Sequence, residues 1–255
     1  MNNKAILNYE DIFKLKNLEF VRALCDYETK RFDKHFLKGS VYEDMNRLFG
    51  IFPAVKCYPQ YFTGDLLHPK NKFILIGINP GYNDEANARE QAYHEEQGLF
   101  NASCKQYGHF KAHRRGLIPY YANAAGFLRR LYKIHERITW DWLDANLINL
   151  ELIPYHSKDS SGLRINDLGE YRKRYFRVLL KIIKYLNPKT PIFINGFSGF
   201  VRYLNDPQFH KDIQFEKKGN IWVGAIGGYP FIGLPFLTRV SGGKDALVKA
   251  VRKHV

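Results

Sequence analysis

The sequence predicts an α/β protein: a three-layer α/β/α sandwich about a central, mostly parallel four-stranded sheet, with an N-terminal helical segment added to it. Three observations carry this expectation. Short apolar runs rich in β-branched residues end in turn clusters, as strands buried on both faces do. Amphipathic stretches stand between those runs, which makes the crossovers parallel. The 255 residues, 45% hydrophobic with 19 Phe and 17 Tyr, suffice for one sizeable core. One domain is therefore expected over 1–255, with a helical cover at 1–62, a core at 63–250 and an insertion at 82–116.

In order along the chain, Ile12, Leu15, Leu18, Val21, Leu24 and Cys25 recur at spacings of three and four, so 9–50 reads as helical. Lys72-Phe73-Ile74-Leu75-Ile76 is the first firm strand, emptying into Gly77-Ile78-Asn79-Pro80-Gly81. Residues 82–116 are polar and aromatic without clean apolar periodicity, and fit an insertion lying over the strand ends. A helix is expected near 119–136, a second strand at Asn146–Ile153 stopped by Pro154, and an amphipathic helix near 168–186. Pro191–Asn195 is a third strand, Ile221–Ala225 and Pro230–Leu234 a further pair, and Asp245–Lys253 a closing helix.

Lys and Arg number 39 against 25 Asp and Glu, a net charge of +14, which favours a polyanionic partner, nucleic acid first. An indifferent basic surface is the plainer alternative. Cys25, Cys57 and Cys104 are few, odd in number and far apart, with no Cys-x-x-Cys metal pattern. A reduced, cytoplasmic protein without metal or cofactor is expected. No apolar run approaches the ~20 residues that span a bilayer, and Met1-Asn2-Asn3-Lys4 opens no signal-peptide segment. No membrane association is expected, and a monomer is.

Several side chains stand where an open α/β sheet places ligands, beyond the carboxyl ends of strands. Asn79 lies in the turn after the first strand; an Asn-Pro turn that merely ends a strand is the alternative. Gly81 leaves space beside it, or serves only a positive φ. Asn149 sits in an apolar strand, where an amide is costly to bury unpaired. Its donor and acceptor suit the Watson–Crick edge of a flipped pyrimidine, and satisfaction by backbone is the alternative. Ser198, in Gly196-Phe197-Ser198-Gly199-Phe200, fails the Gly-x-Ser-x-Gly nucleophile elbow because phenylalanine holds the last position. Arg114 and Arg115 end the insertion and offer charge to DNA. One of its aromatics, Tyr93, Phe100, Tyr107 or Phe110, is expected to stack on a base; core packing is their other role.

Gly77-Ile78-Asn79-Pro80-Gly81 after a strand resembles motif A of the uracil-DNA glycosylase superfamily, most closely its mismatch-specific branch. The resemblance covers about 63–250 and implies a DNA glycosylase without cofactor. Asn79 would position the attacking water, with Gly77, Ile78, Pro80, Gly81 and Tyr82 shaping the base pocket. Where the uracil-specific branch has a tyrosine that excludes 5-substituted bases, Gly81 leaves the pocket open. Leu147-Ile148-Asn149-Leu150 looks like the base-reading strand, and the Ser198 loop like the one that grips a phosphate. Pro119 and Tyr120 are similar to the proline-rich phosphate loop. The last loop departs from the family. Its usual His-Pro-Ser is replaced by Leu234-Pro235-Phe236, so the histidine that donates to the leaving base is missing. Phe236, Leu237 or Arg239 would wedge into the duplex, and Ser241, Gly242 and Lys244 would hold phosphate. Glu151 or His156 would compensate for the histidine.

The expected activity is that of a monofunctional glycosylase. It would flip a pyrimidine or modified cytosine, such as a glucosylated hydroxymethylcytosine, from duplex or single-stranded DNA and leave an abasic site, in repair or in defence against phage. Two alternatives stand beside it: a weak or inactive nucleic-acid-binding module of the same fold, and an enzyme of free nucleosides or RNA.

Overall fold

The computed structural model describes residues 8–36, 58–70, 72–78, 84–154, 156, 169–204, 207–240 and 244–255. Asn79, Pro80, Gly81, Tyr82, Ser241 and Gly242 lie outside the described residues.

Helices α1 (Tyr9–Lys14) and α2 (Asn17–Phe36) come first, followed by strands β1 (Phe62–Thr63) and β2 (Phe73–Gly77). Three helices fill the insertion: α3 (Asp84–Gln97), α4 (Leu99–Cys104) and α5 (Gln106–His113). Next come α6 (Pro119–Tyr132), α7 (Trp140–Asn146), β3 (Leu147–Glu151), α8 (Gly169–Leu186), β4 (Ile192–Asn195) and α9 (Phe197–Leu204). The chain closes with β5 (Ile213–Lys218), β6 (Ile221–Ile226), β7 (Tyr229–Leu234) and α10 (Lys244–Val251).

The sheet has seven strands in the order β1-β3-β2-β4-β7-β6-β5. Its centre, β3-β2-β4-β7, is parallel, but β1 on β3, β5 on β6 and β6 on β7 are antiparallel. The expected four-stranded, mostly parallel sheet is thus corrected to a seven-stranded mixed one. The cause is local. Gly227 and Gly228, both at positive φ (57° and 86°), make the two-residue loop between Ile226 and Tyr229 that folds β6 back on β7. A short turn at Gly219 then adds β5.

Alternate residues of the central strands face opposite ways. Ile74, Ile76, Ile148, Leu150, Ile192 and Ile194 join one buried cluster with α1, α2, α8 and α9. Leu75, Leu147, Phe193, Ile232 and Leu234 join the other, with α6, α7 and α10. Helices therefore cover both faces. The N-terminal helical reading continues only as far as Phe36 among the described residues, with a break at Leu15–Lys16. No helix among the described residues is long and apolar enough to cross a membrane.

Candidate active site

On the α6 face the strands change character toward their carboxyl ends. Leu147, Leu75 and Phe193 are apolar and buried there. Further along the same face come Asn149 and Glu151 on β3, Gly77 on β2 and Asn195 on β4, while Thr63 of β1 pairs with Asn149. Gly77 is registered against Glu151. The ladder continues past the strands, because Leu152 N–H donates to Gly77 O (3.0 Å) and Ile153 N–H to Ile78 O (2.8 Å). Ile78 is buried over Gly199, whose missing side chain gives it room.

Pro119 opens α6 as its first residue, where its missing N–H costs nothing. That start aims Tyr120 at the strand ends. Its hydroxyl donates to Asn149 Oδ1 (2.8 Å), and Asn149 Nδ2 donates to Glu151 Oε1 (2.6 Å). The Asn195 side chain also hydrogen-bonds Tyr120, and Asn195 Oδ1 accepts the Leu237 N–H at 2.9 Å. Tyr120 therefore belongs to the Asn149 cluster, a placement its sequence motif did not signal.

Glu151 is 8% exposed and its Oε2 has no hydrogen-bond partner. An unpaired carboxylate oxygen is costly to bury, so the neutral acid is favoured. Burial pushes the pKa up to about 8, against the opposing pull of the Asn149 hydrogen bond. Oε2 stands beside Gly77: a Cβ there would lie 2.6 Å from it and 3.0 Å from the Tyr120 hydroxyl.

A second buried polar group lies on α3. Asn87, Glu90, Gln91 and His94 all face inward. Gln106 Nε2 donates to Glu90 Oε1 (2.9 Å), and its Oε1 lies 3.3 Å from His94 Nε2. Burial raises Glu90 to about 7, opposed by Arg114, and lowers His94 to about 4. Neutral His94 then donates its Nε2–H to the amide oxygen. Asn87 Nδ2 reaches His156 Nδ1 at 3.0 Å, and His156 is buried at 4% exposure. His156 thus joins the α3 network.

A linkage prediction follows. Both carboxyls ionise near the ordinary value of 4.5 when unfolded, but only near 7 and 8 when folded. The folded state holds these carboxyl protons between those values, while buried neutral His94 opposes them up to about pH 6.5, because the unfolded histidine holds a proton there. Stability therefore falls as pH rises from about 4.5 to 8, most steeply above 6.5. Thermal melts should show Tm dropping across this window. The double variant Glu90→Gln, Glu151→Gln should flatten the dependence; a wild-type Tm that climbs toward pH 8 would contradict it.

The remaining candidates are spread more widely. Phe100 is buried against Phe62 (5.9 Å) with Arg22 over its ring, so its face is used in packing. Tyr107 is fully buried, Tyr93 stacks on His109 (4.3 Å), and Phe110 packs on Trp140. Arg114 and Arg115 are exposed just past α5. Ser198, second in α9, is exposed and lines a groove of about 520 Å³ with Lys217, Trp222, Phe236 and Arg239. Arg239 lies over the Phe236 ring at 5.1 Å, and that ring covers Gly196. Of the three wedge candidates Leu237 is buried at 1% exposure, Phe236 is partly buried against the core and Arg239 is exposed. Lys244 Nζ donates to Asn123 Oδ1 (2.6 Å), pinning α10 to α6. Among the described residues no group of three or more His, Cys, Asp or Glu is arranged to hold a metal ion.

No model of a known protein family matches the chain, and no curated protein matches it in sequence.

Proposed function

We propose that the protein is a DNA glycosylase that everts a pyrimidine-type base and hydrolyses its N-glycosidic bond. The observation that carries this reading is the Tyr120–Asn149–Glu151 relay, buried at the carboxyl ends of the parallel strands with Glu151 registered against Gly77, which precedes Asn79 by two residues in the sequence. Helices on both faces of the sheet fit the resemblance to the uracil-DNA glycosylase superfamily. Breaking the bond puts positive charge on the sugar and negative charge on the departing base. The reaction needs an oriented water, a donor to the base and phosphates held in place. Asn79 takes the first role and the relay faces the base. The Ser198–Arg239 groove, with Lys217 and Trp222, offers cations and aromatic faces to the strand. The +14 charge draws DNA in from a distance.

The test is release of free bases, read by mass spectrometry, from oligonucleotides bearing uracil, thymine mismatches, cytosine and modified cytosines. Released base with matching abasic sites is expected, and Asn79→Ala should slow it by about 10²-fold or more. No release from any member of the panel would overturn the reading. The missing histidine of the last loop favours one competitor, a binding module of the same fold. That protein would bind the panel with a steep salt dependence and leave every base attached.

A further inference from the structure

We infer that Glu151 is the acid of this site, its Oε2–H passing a proton to a departing base whose edge carries two adjacent acceptors, the O2 and N3 of a cytosine-type pyrimidine. The inference rests on the glycosylase reading and deepens it. Three observations select the acceptor pair. Glu151 Oε2 is the one buried oxygen of the relay without a partner, while Oε1 is already taken by Asn149. Asn149 Oδ1 already accepts from Tyr120, so the hydrogen-bonding group of this amide that has no partner is its second N–H. The two donors that the relay leaves unsatisfied are therefore the Glu151 Oε2–H and the second Asn149 N–H. Uracil and thymine would present an N3–H between their carbonyls, donor against donor. Cytosine presents O2 and N3, acceptors both.

Gly77 completes the geometry. A side chain there would collide with Glu151 Oε2, so the bare backbone is what lets the carboxyl lie against β2 in this position. The titratable groups that face the carboxyl are the hydroxyls of Tyr120 and Tyr121 on α6, both held protonated by burial. Glu90 on α3 lies beyond Tyr121, and its pKa is raised as well. Burial and the Asn149 hydrogen bond set the titration of Glu151 itself.

The step balances without any other reactant. The C1′–N1 bond breaks with its electron pair leaving on the base, and the Glu151 proton neutralises the base at N3 or O2. Water adds hydroxide to C1′, and the proton it gives up restores the Glu151 carboxylic acid. The net products are neutral cytosine-type base and an abasic sugar.

The test is the single-turnover rate of base release against pH from 5 to 10, for wild type and Glu151→Gln. The substrates carry unpaired cytosine, 5-fluorocytosine or uracil. Wild type should prefer cytosine to uracil and lose about tenfold in rate per pH unit above pH 8, as one required proton is lost. Glu151→Gln keeps the shape and an N–H donor but has no proton to give. It should be slower by about 10²-fold or more, with the alkaline limb gone. Its deficit should shrink on 5-fluorocytosine, which departs more readily and needs the acid less; a purely structural role would leave the deficit unchanged. If the variant fails to fold, the wild-type pH profile and base preference decide alone. Base release flat to pH 10, a preference for uracil, or a Gln variant as fast as wild type would overturn the inference and leave the glycosylase reading standing. No release of any base would overturn both.

Discussion

Alanine at Gly77 is expected to silence the protein while barely loosening it. The new Cβ would meet Glu151 Oε2 at 2.6 Å and the Tyr120 hydroxyl at 3.0 Å. Both are the far ends of side chains, so the collision is relieved by turning them away rather than by moving backbone. Folding loses little, and a smaller loss of chain entropy offsets part of it. A net change within about 1.5 kcal/mol should appear in urea titrations. The relay has no such latitude. Displacing the carboxyl breaks the 2.6 Å bond to Asn149 and moves the unpaired oxygen off its aim. Base release should fall by about 10²-fold or more, the scale expected of an ångström's misplacement. A Gly77→Ala protein with full activity would mean that the Glu151 oxygen is not where the base is handled.

Gly224→Ala should do the reverse and strike the fold first. Gly224 lies on β6, paired with Phe215 of β5 and Phe231 of β7. A Cβ there would run into the carbonyl oxygen of Gln214 and, at 2.8 Å, into the Cα of Phe215. These are backbone atoms and cannot rotate aside, so β5 must separate from β6. The expected loss is about 3 kcal/mol, at the upper end of overpacking costs, read from the urea midpoint. Because β5 and β6 carry Lys217 and Trp222, the groove beside Ser198 should open as well and DNA binding weaken. An unchanged midpoint would show that the hairpin is held less closely than its register indicates.

What the sequence disclosed and what it hid differ in kind. The strands β2, β3 and β4 are buried on both faces and mostly apolar, and such runs announce themselves. Asn149 and Glu151 were legible as site candidates because polar residues in a buried strand demand a reason. Their shared face follows from a spacing of two. The seven-stranded sheet was not legible, because β5 buries Ile213 and exposes the next five residues, Gln214 to Lys218, so no alternation marks it. The insertion looked irregular for a subtler reason. Its inward positions 87, 90, 91 and 94 do repeat at helical spacing, but the residues are Asn, Glu, Gln and His. A search for apolar periodicity passes over a helix that buries its polar side. The meeting of Tyr120 with Asn149, 29 residues away, was not legible because it depends on how α6 lies across the sheet.

Sheets of this size have a hazard in their margins, where unpaired amides and carbonyls invite a neighbouring molecule to add itself as another strand. Here β1 offers only two residues at one margin. At the other, β5 holds Glu216, Lys217 and Lys218 out in solvent, and a second copy would have to strip water from each of these charges. The hairpin that enlarges the sheet thus also terminates it, with a margin whose charged, hydrated side chains discourage its copies from zipping together into fibres.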